Sequence, residues 1–319
     1  MMTAATTSRS LSPALQRRDR VGWADLAWLV WRQHRTLIAA TTLGVAIVAG
    51  LFWWDAADPR HASAYPFLAN LVMPAAAGVI GVFWGAPLIA TEYEQRTHLM
   101  AWAQDVSPVR WLTAKLTMLG AIAAVLATIL GLADTTFINA INAGGRAVPD
   151  LYSPWGFAGF ESWIPLQIVY ALSGFALGVA VSALLRRTVG SIAVTMVVFA
   201  AVRFAVGAWR LTFLPPLRHF QPPSGFLYGA PEPGAVELGL NHLVNAAGSE
   251  VSLPSRCYSM TTGELDLGCA KANGAVAAYV DYQPASRLLP FHLIEFGIFA
   301  VLTAALLTVA VLWMRRQHR

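Results

Sequence analysis

The sequence predicts an all-α polytopic membrane protein: six transmembrane helices, an N-terminal interfacial helix and a small extracytoplasmic cap between the fifth and sixth spans. Three observations carry this prediction. First, the 319 residues are 56% hydrophobic with a mean hydropathy of +0.54, above the roughly 45–50% apolar usage of soluble domains. Second, the apolar residues come in blocks of about 20, the length that crosses the roughly 30 Å hydrocarbon core of a bilayer. Third, there are twelve tryptophans, whose indole rings favour membrane–water interfaces. Helices are the expected spanning element because backbone groups in lipid must be satisfied within the segment.

In chain order, residues 1–36 form an N-terminal segment whose first 20 residues are polar and basic, without the apolar core of a signal peptide. Residues 22–36 read GWADLAWLVWRQHRT. At helical spacing Trp23, Leu26, Ala27, Val30 and Trp31 share one face, with Asp25, Arg32 and Arg35 opposite. That is the pattern of a helix lying in the membrane interface. Six apolar runs follow, at residues 37–54, 67–90, 111–133, 163–185, 189–209 and 291–314. The first five make up the 37–209 part of the transmembrane domain, the last stands alone, and residues 315–319 are a short tail. Residues 210–290 are too long for a turn and open on Pro- and Gly-rich sequence, so they form a folded cap. Within it, residues 235–247 look helical.

Lysine and arginine fix the expected sidedness. With the N-terminus in the cytoplasm, fourteen of the 22 fall inside and seven outside, with Arg203 in a span. The positive-inside rule then places both termini in the cytoplasm and the 210–290 cap outside. The net charge of +5 is dispersed at run ends, and no basic patch interleaved with aromatics points to nucleic acid.

Several residues stand out. The only cysteines, Cys257 and Cys269, share the loop placed outside, where two thiols predict a disulfide. Arg203 lies at membrane depth, where a guanidinium is costly unless paired or wet. Glu295 and Asp134, near the outer ends of the sixth and third spans, are its candidate partners, as a polar pathway lining or as a structural ion pair. Gly174 and Gly178 form a G-x-x-x-G in the fourth span, which permits close helix packing.

The segment 91–110 gathers Glu92, Glu94, Asp105, Arg96, His98 and Arg110, in a chain that is 12% charged overall. Leu99, Met100 and Trp102 sit among these charges, which a loop serving only topology would not need. The sequence lacks G-x-x-x-x-G-K-[ST], so it has no phosphate cradle of its own. Nor does it carry H-E-x-x-H or a G-x-S-x-G elbow. An enzyme reading therefore has no constellation behind it, and no metal site is expected.

The layout, and above all WRQHR at 31–35 and GAPLIATEYEQRTHLMAWAQDVSPVRWLTAKL at 85–116, resembles type-2 ATP-binding-cassette (ABC) permeases. The likeness is to bacterial exporter membrane subunits of the kind common in GC-rich actinobacteria. In that resemblance 91–110 is the element that docks on the ATPase. Glu92, Glu94 and Thr97 match its acid–x–acid and threonine core, Ser107 and Pro108 its Ser-Pro, and Lys115 its closing basic residue. Arg96 stands where the pattern has glycine, the residue that adopts φ > 0 at little cost.

The resemblance implies a permease that binds no cofactor itself, with ATP and Mg held by a separate ABC ATPase. It further implies a homodimer of the permease in the bacterial plasma membrane, surrounded by lipid and exporting a small hydrophobic or amphipathic compound. A rival reading is a non-transport anchor or sensor whose outer loop binds a ligand. A third is an intramembrane enzyme using Arg203 and Glu295.

Overall fold

The computed structural model describes residues 22–57, 66–96, 107–143, 152–223, 232–259 and 264–316, with residues 66–72 as backbone. The chain is mostly helical. Among the described residues six helices are long and apolar enough to cross a membrane. In order the elements are α1 (Trp23–Ala57), α2 (Pro66–Ile80), a π-turn (Gly81–Gly85), α3 (Pro87–Glu94) and α4 (Pro108–Ala143). Then come α5 (Phe157–Glu161), α6 (Ile164–Leu185), α7 (Thr188–Trp209), β1 (Leu217–Gln221), β2 (Val236–Glu237) and β3 (His242–Val244). The chain ends with α8 (Leu267–Ala272), β4 (Ala277–Gln283) and α9 (Leu288–Arg316).

The segment expected to lie in the interface is not a separate helix. It runs without a break into the first span as the 35-residue α1, because residues 35–37 contain neither proline nor glycine to stop it. At 1.5 Å per residue α1 is about 52 Å long, well beyond the hydrocarbon core. Leu26 and Val30 of the expected apolar face are buried, whereas Trp23 and Trp31 are exposed.

The second span is interrupted. Pro87 has no N–H with which to continue the ladder, and the turn before it widens so that Ala86 N–H donates to Gly81 O at 2.9 Å. The widened turn presses on α6, backbone against backbone. A Cβ on Gly81 would lie 2.6 Å from Gly174 O, and one on Gly178 would lie 2.3 Å from Gly81 O. The G-x-x-x-G of α6 thus meets a second small-residue pair, Gly81 and Gly85, and both partners need to lack a side chain.

α6 is the central post of the bundle, packed by α2, α4, α7, α9 and the π-turn. Its span is 72% buried, against 17%, 22% and 11% for α1, α7 and α9. Those outer spans turn faces such as Leu43, Ile47, Val197, Phe204 and Val301 outward.

The cap was expected to contain a helix over 235–247, and this is corrected: the stretch holds β2 and β3. Both pair antiparallel with β4, which also pairs with β1. Gly239 at φ 108 interrupts any helix there, and pairing with β4 buries Leu243 and Val244. Cys257 and Cys269 are joined by a disulfide with a Cα–Cα distance of 5.3 Å. It lies in a small core with Leu243, Leu265, Ala270 and Ala278. The cap is tied to the bundle where Trp155 Nε1 donates to Gly234 O at 2.9 Å and Gln283 Nε2 to Leu214 O at 2.8 Å.

Candidate functional site: two polar clusters at opposite ends of the bundle

The first cluster is built around the end of α3, where the charged 91–110 segment begins. The opening N–H groups of α3 are received by α6: Ile89 and Ala90 both donate to Ser182 Oγ, at 3.1 and 2.7 Å. Glu92 is ion-paired with Lys115 of α4. Lys115 is itself buried, its ammonium 4.0 Å from the Trp111 ring centre. Glu94 reaches the first residue of α7: its Oε1 accepts from Thr188 N–H at 2.9 Å and its Oε2 from Thr188 Oγ1 at 2.7 Å. A carboxylate there satisfies an otherwise orphan helix donor and meets the positive end of the helix dipole. Between them Tyr93 lies 5.0 Å under the Arg186 guanidinium.

Arg96 adopts φ 56. It takes the left-handed conformation expected of a glycine at that position, although it carries a side chain. Arg186, closing α6, does the same at φ 55. Thr97, Leu99, Met100 and Trp102 lie outside the described residues. Of the α1 residues, Arg32 stacks 5.2 Å from Trp28, and Arg110 of α4 covers Trp23 at 5.3 Å.

The second cluster lies at the other end. Along α7, Arg203 is 15 residues from Thr188, about 22 Å at helical rise. Glu295 is indeed its neighbour, with Arg203 Nη1 3.6 Å from Glu295 Oε1. The closer partner is a residue the sequence reading did not consider: Arg203 Nη2 is 2.6 Å from Glu161 Oε2. Arg210, placed by sequence at the start of the outer loop, is buried here instead. It donates to Glu295 through Nε at 2.8 Å and Nη2 at 3.1 Å, and to Glu161 at 3.4 Å.

Two carboxylates thus face two guanidiniums. Tyr170 OH donates to Glu295 Oε1 at 2.5 Å, and the Tyr170 ring lies under Arg203 at 3.5 Å. His292 Nε2 donates to Phe160 O at 3.1 Å. Burial pushes the Glu161 carboxyl upward, and the neighbouring Arg203 and Arg210 oppose that shift. Asp134 does not join the cluster. It is fully buried on α4, and neither carboxylate oxygen has a hydrogen-bond partner among the described residues.

Sequence spacing could not have found Glu161 or Arg210, because both sat in stretches read as loop. The available signal was charge count: a buried arginine needs an acid, and Glu161 immediately precedes the fourth span. On the cap, Arg218 forms a two-pronged pair with Asp281, at 2.8 and 3.0 Å. That contact holds the Asp281 carboxyl below its usual range.

Among the described residues no group of three or more His, Cys, Asp or Glu is placed to hold a metal ion. Residues 54–210, just under half of the chain, match the family model described as ABC-2 membrane transporter related. The matched region runs from the end of α1 to the Arg210 of the buried cluster. No curated protein and no solved structure matches the chain.

Proposed function

We propose, from the premise that this chain is a type-2 ABC transporter permease, that it is the membrane half of an ATP-driven exporter of a hydrophobic or amphipathic compound. ABC-2 permeases work with an ABC ATPase. In our reading two permeases and two ATPases assemble in the bacterial plasma membrane, with both termini and the 91–110 segment on the ATPase side. The chain does no covalent chemistry; ATP and Mg are handled by the partner.

The observation that carries this reading is the double tether of the α3 end. Glu92 is held to α4 through Lys115, and Glu94 to α7 through Thr188. A push on the 91–96 turn therefore moves the starts of two further spans together with the second. Glu92 is engaged by Lys115 and Glu94, though exposed, by Thr188, so the docking surface itself falls to Arg96 and the residues after it. The neutralised Glu161–Arg203–Glu295–Arg210 cluster clamps α5, α6, α7 and α9 at the opposite end. In our reading this cluster parts and re-forms as the bundle rocks.

The test is co-expression with the ABC ATPase, followed by purification and measurement of substrate-stimulated ATP hydrolysis. Arg96→Glu is expected to weaken co-purification. If the ATPase fails to associate with the unaltered chain, the transporter reading is wrong and the anchor or sensor reading takes its place.

A further inference from the structure

We infer that the groove between α1 and the second span binds the cargo, and that the cargo is a single-chain amphipath with an uncharged, hydrogen-bonding head. The inference rests on the permease reading above and gives it a site and a chemical class.

Two cavities lie end to end along α1. The first, about 390 Å³, opens beside the 91–96 turn, where Gln33 and His34 of α1 face Thr91, Glu92 and Gln95. The second, about 510 Å³, continues between Val45 and Val48 of α1, Val79 and Ile80 of α2, and Leu126 of α4. Leu37 and Phe83 line both cavities, so the two adjoin. Each volume falls within the roughly 300–1,000 Å³ of small-molecule sites. From Gln33 to Val48 the groove follows α1 for about 22 Å.

The chemistry changes along that length. The mouth offers two amides and an imidazole, beside a Thr91 hydroxyl that also meets Thr188 Oγ1 at 3.3 Å. His34 Nε2 is buried there without a hydrogen-bond partner among the described residues. The shaft is apolar, because its two polar side chains are already engaged. Thr41 Oγ1 donates to Leu37 O and accepts from Trp84 Nε1, both at 3.0 Å. Gln167 Nε2 donates to Glu161 O at 2.6 Å.

Charge selects the head. Glu92, the one carboxylate in the lining, is neutralised by Lys115. An ionic head would therefore leave water and meet no counter-ion, a cost an amide- or hydroxyl-bearing head avoids. The same argument disfavours a phospholipid as the resident, since its phosphate would face the same wall. The shaft also has room to spare: a Cβ on Gly44 meets nothing within 4 Å.

The experiment uses the full chain with its ABC ATPase in phosphatidylcholine nanodiscs and a monoacylglycerol carrying a diazirine on its chain. After illumination, adducts are expected on peptides covering residues 37–48 and 75–83. Gly44→Leu fills the shaft without straining α1 and is expected to lower labelling about tenfold, the effect of about 1.4 kcal/mol of lost binding. Gln33→Leu with His34→Leu should reduce monoacylglycerol labelling while leaving labelling by a headless alkyl diazirine unchanged.

Labelling indifferent to Gly44→Leu overturns the inference. So does a phosphatidylcholine diazirine that marks the same peptides and resists displacement by monoacylglycerol, since the groove is then a lipid-filled seam. ATPase association is read on the same preparations. A bound ATPase beside an unlabelled groove refutes the groove alone, and an absent ATPase refutes the transporter reading.

Discussion

Glu94 grips Thr188 with both carboxylate oxygens, one on the backbone N–H and one on the hydroxyl, at 2.9 and 2.7 Å. The contact joins the last residue of α3 to the first of α7, residues far apart in sequence. If force from the ATPase reaches α7 through this link, then Glu94→Ala leaves co-purification intact but lowers substrate-stimulated ATP hydrolysis several-fold. Thr188→Val, which removes only the hydroxyl half of the link, should lower it less, and the double variant should be no worse than Glu94→Ala alone, because Glu94→Ala already breaks the whole connection. Additive losses in the double-mutant cycle would show that the link carries no coupling.

Arg96 in the left-handed region carries strain that a glycine would not. For an L-residue that conformation costs about 1–2 kcal/mol, so Arg96→Gly is expected to relax the turn and Arg96→Val to worsen it. Hydrogen exchange at the amides of residues 91–96 measures this directly: protection should rise in the glycine variant and fall in the valine variant. Should Arg96→Gly instead reduce ATPase association at unchanged protection, the guanidinium is a docking contact whose value outweighs the strain.

The buried four-charge cluster makes a sharper demand. Removing one member of a buried pair strands its partner, at about 3–5 kcal/mol. Glu295→Ala should therefore lower the thermal stability of the purified protein far more than an exposed substitution. Glu295→Leu combined with Arg210→Met should recover most of the loss, because Glu161 and Arg203 still neutralise each other. Equal damage from the single and the paired replacement would mean that the cluster's worth lies in packing.

How much of this was legible in the sequence follows from the physics of each part. The six spans were, because apolar length is a direct consequence of bilayer thickness. So was the Cys257–Cys269 bond, since two cysteines in one loop have only each other. The separate interfacial helix was not, because amphipathicity marks a face and says nothing of whether the helix stops at residue 36. β2 and β3 were missed because they are two and three residues long, too short to show an alternating pattern; their pairing with β4 decides them. Arg203 announced itself by its depth, but Glu161 and Arg210 needed the fold to bring three helices together. Glu92 and Glu94 of the 91–110 segment were read as charges shown to a partner; their contacts with Lys115 of α4 and Thr188 of α7 needed the fold, and Asp105 lies outside the described residues.

On the cap, Arg218 opposite Asp281 sets a pH dependence of known sign. The Arg218 guanidinium lowers the Asp281 carboxyl below its ordinary value of 3.8, so the contribution is fully present above that pH. It is lost as pH falls through the lower, folded-state value. Limited pepsin digestion across that acidic window should show the β1–β4 region opening. Arg218→Gln should remove the pH step while cutting at other sites continues unchanged. A wild-type profile identical to the variant's would deny the pair any role in holding the sheet.

Gly178 and Gly297 are both helical glycines in spans, and the structure predicts opposite outcomes for them. A Cβ at 178 would lie 2.3 Å from Gly81 O, whereas one at 297 meets nothing within 4 Å. Backbone cannot swing aside as a side chain can, so Gly178→Ala must part α6 from the π-turn, at about 3 kcal/mol, the upper end of ordinary overpacking. Gly297→Ala adds helix propensity in open space and should stabilise α9 by up to about 1 kcal/mol. Thermal unfolding of the two variants side by side decides the matter. Because α6 is the post against which the interrupted span is set, the loss at 178 should also displace α3 and weaken the Glu94–Thr188 link. The coupling defect of Glu94→Ala would then appear in a variant that leaves both residues in place.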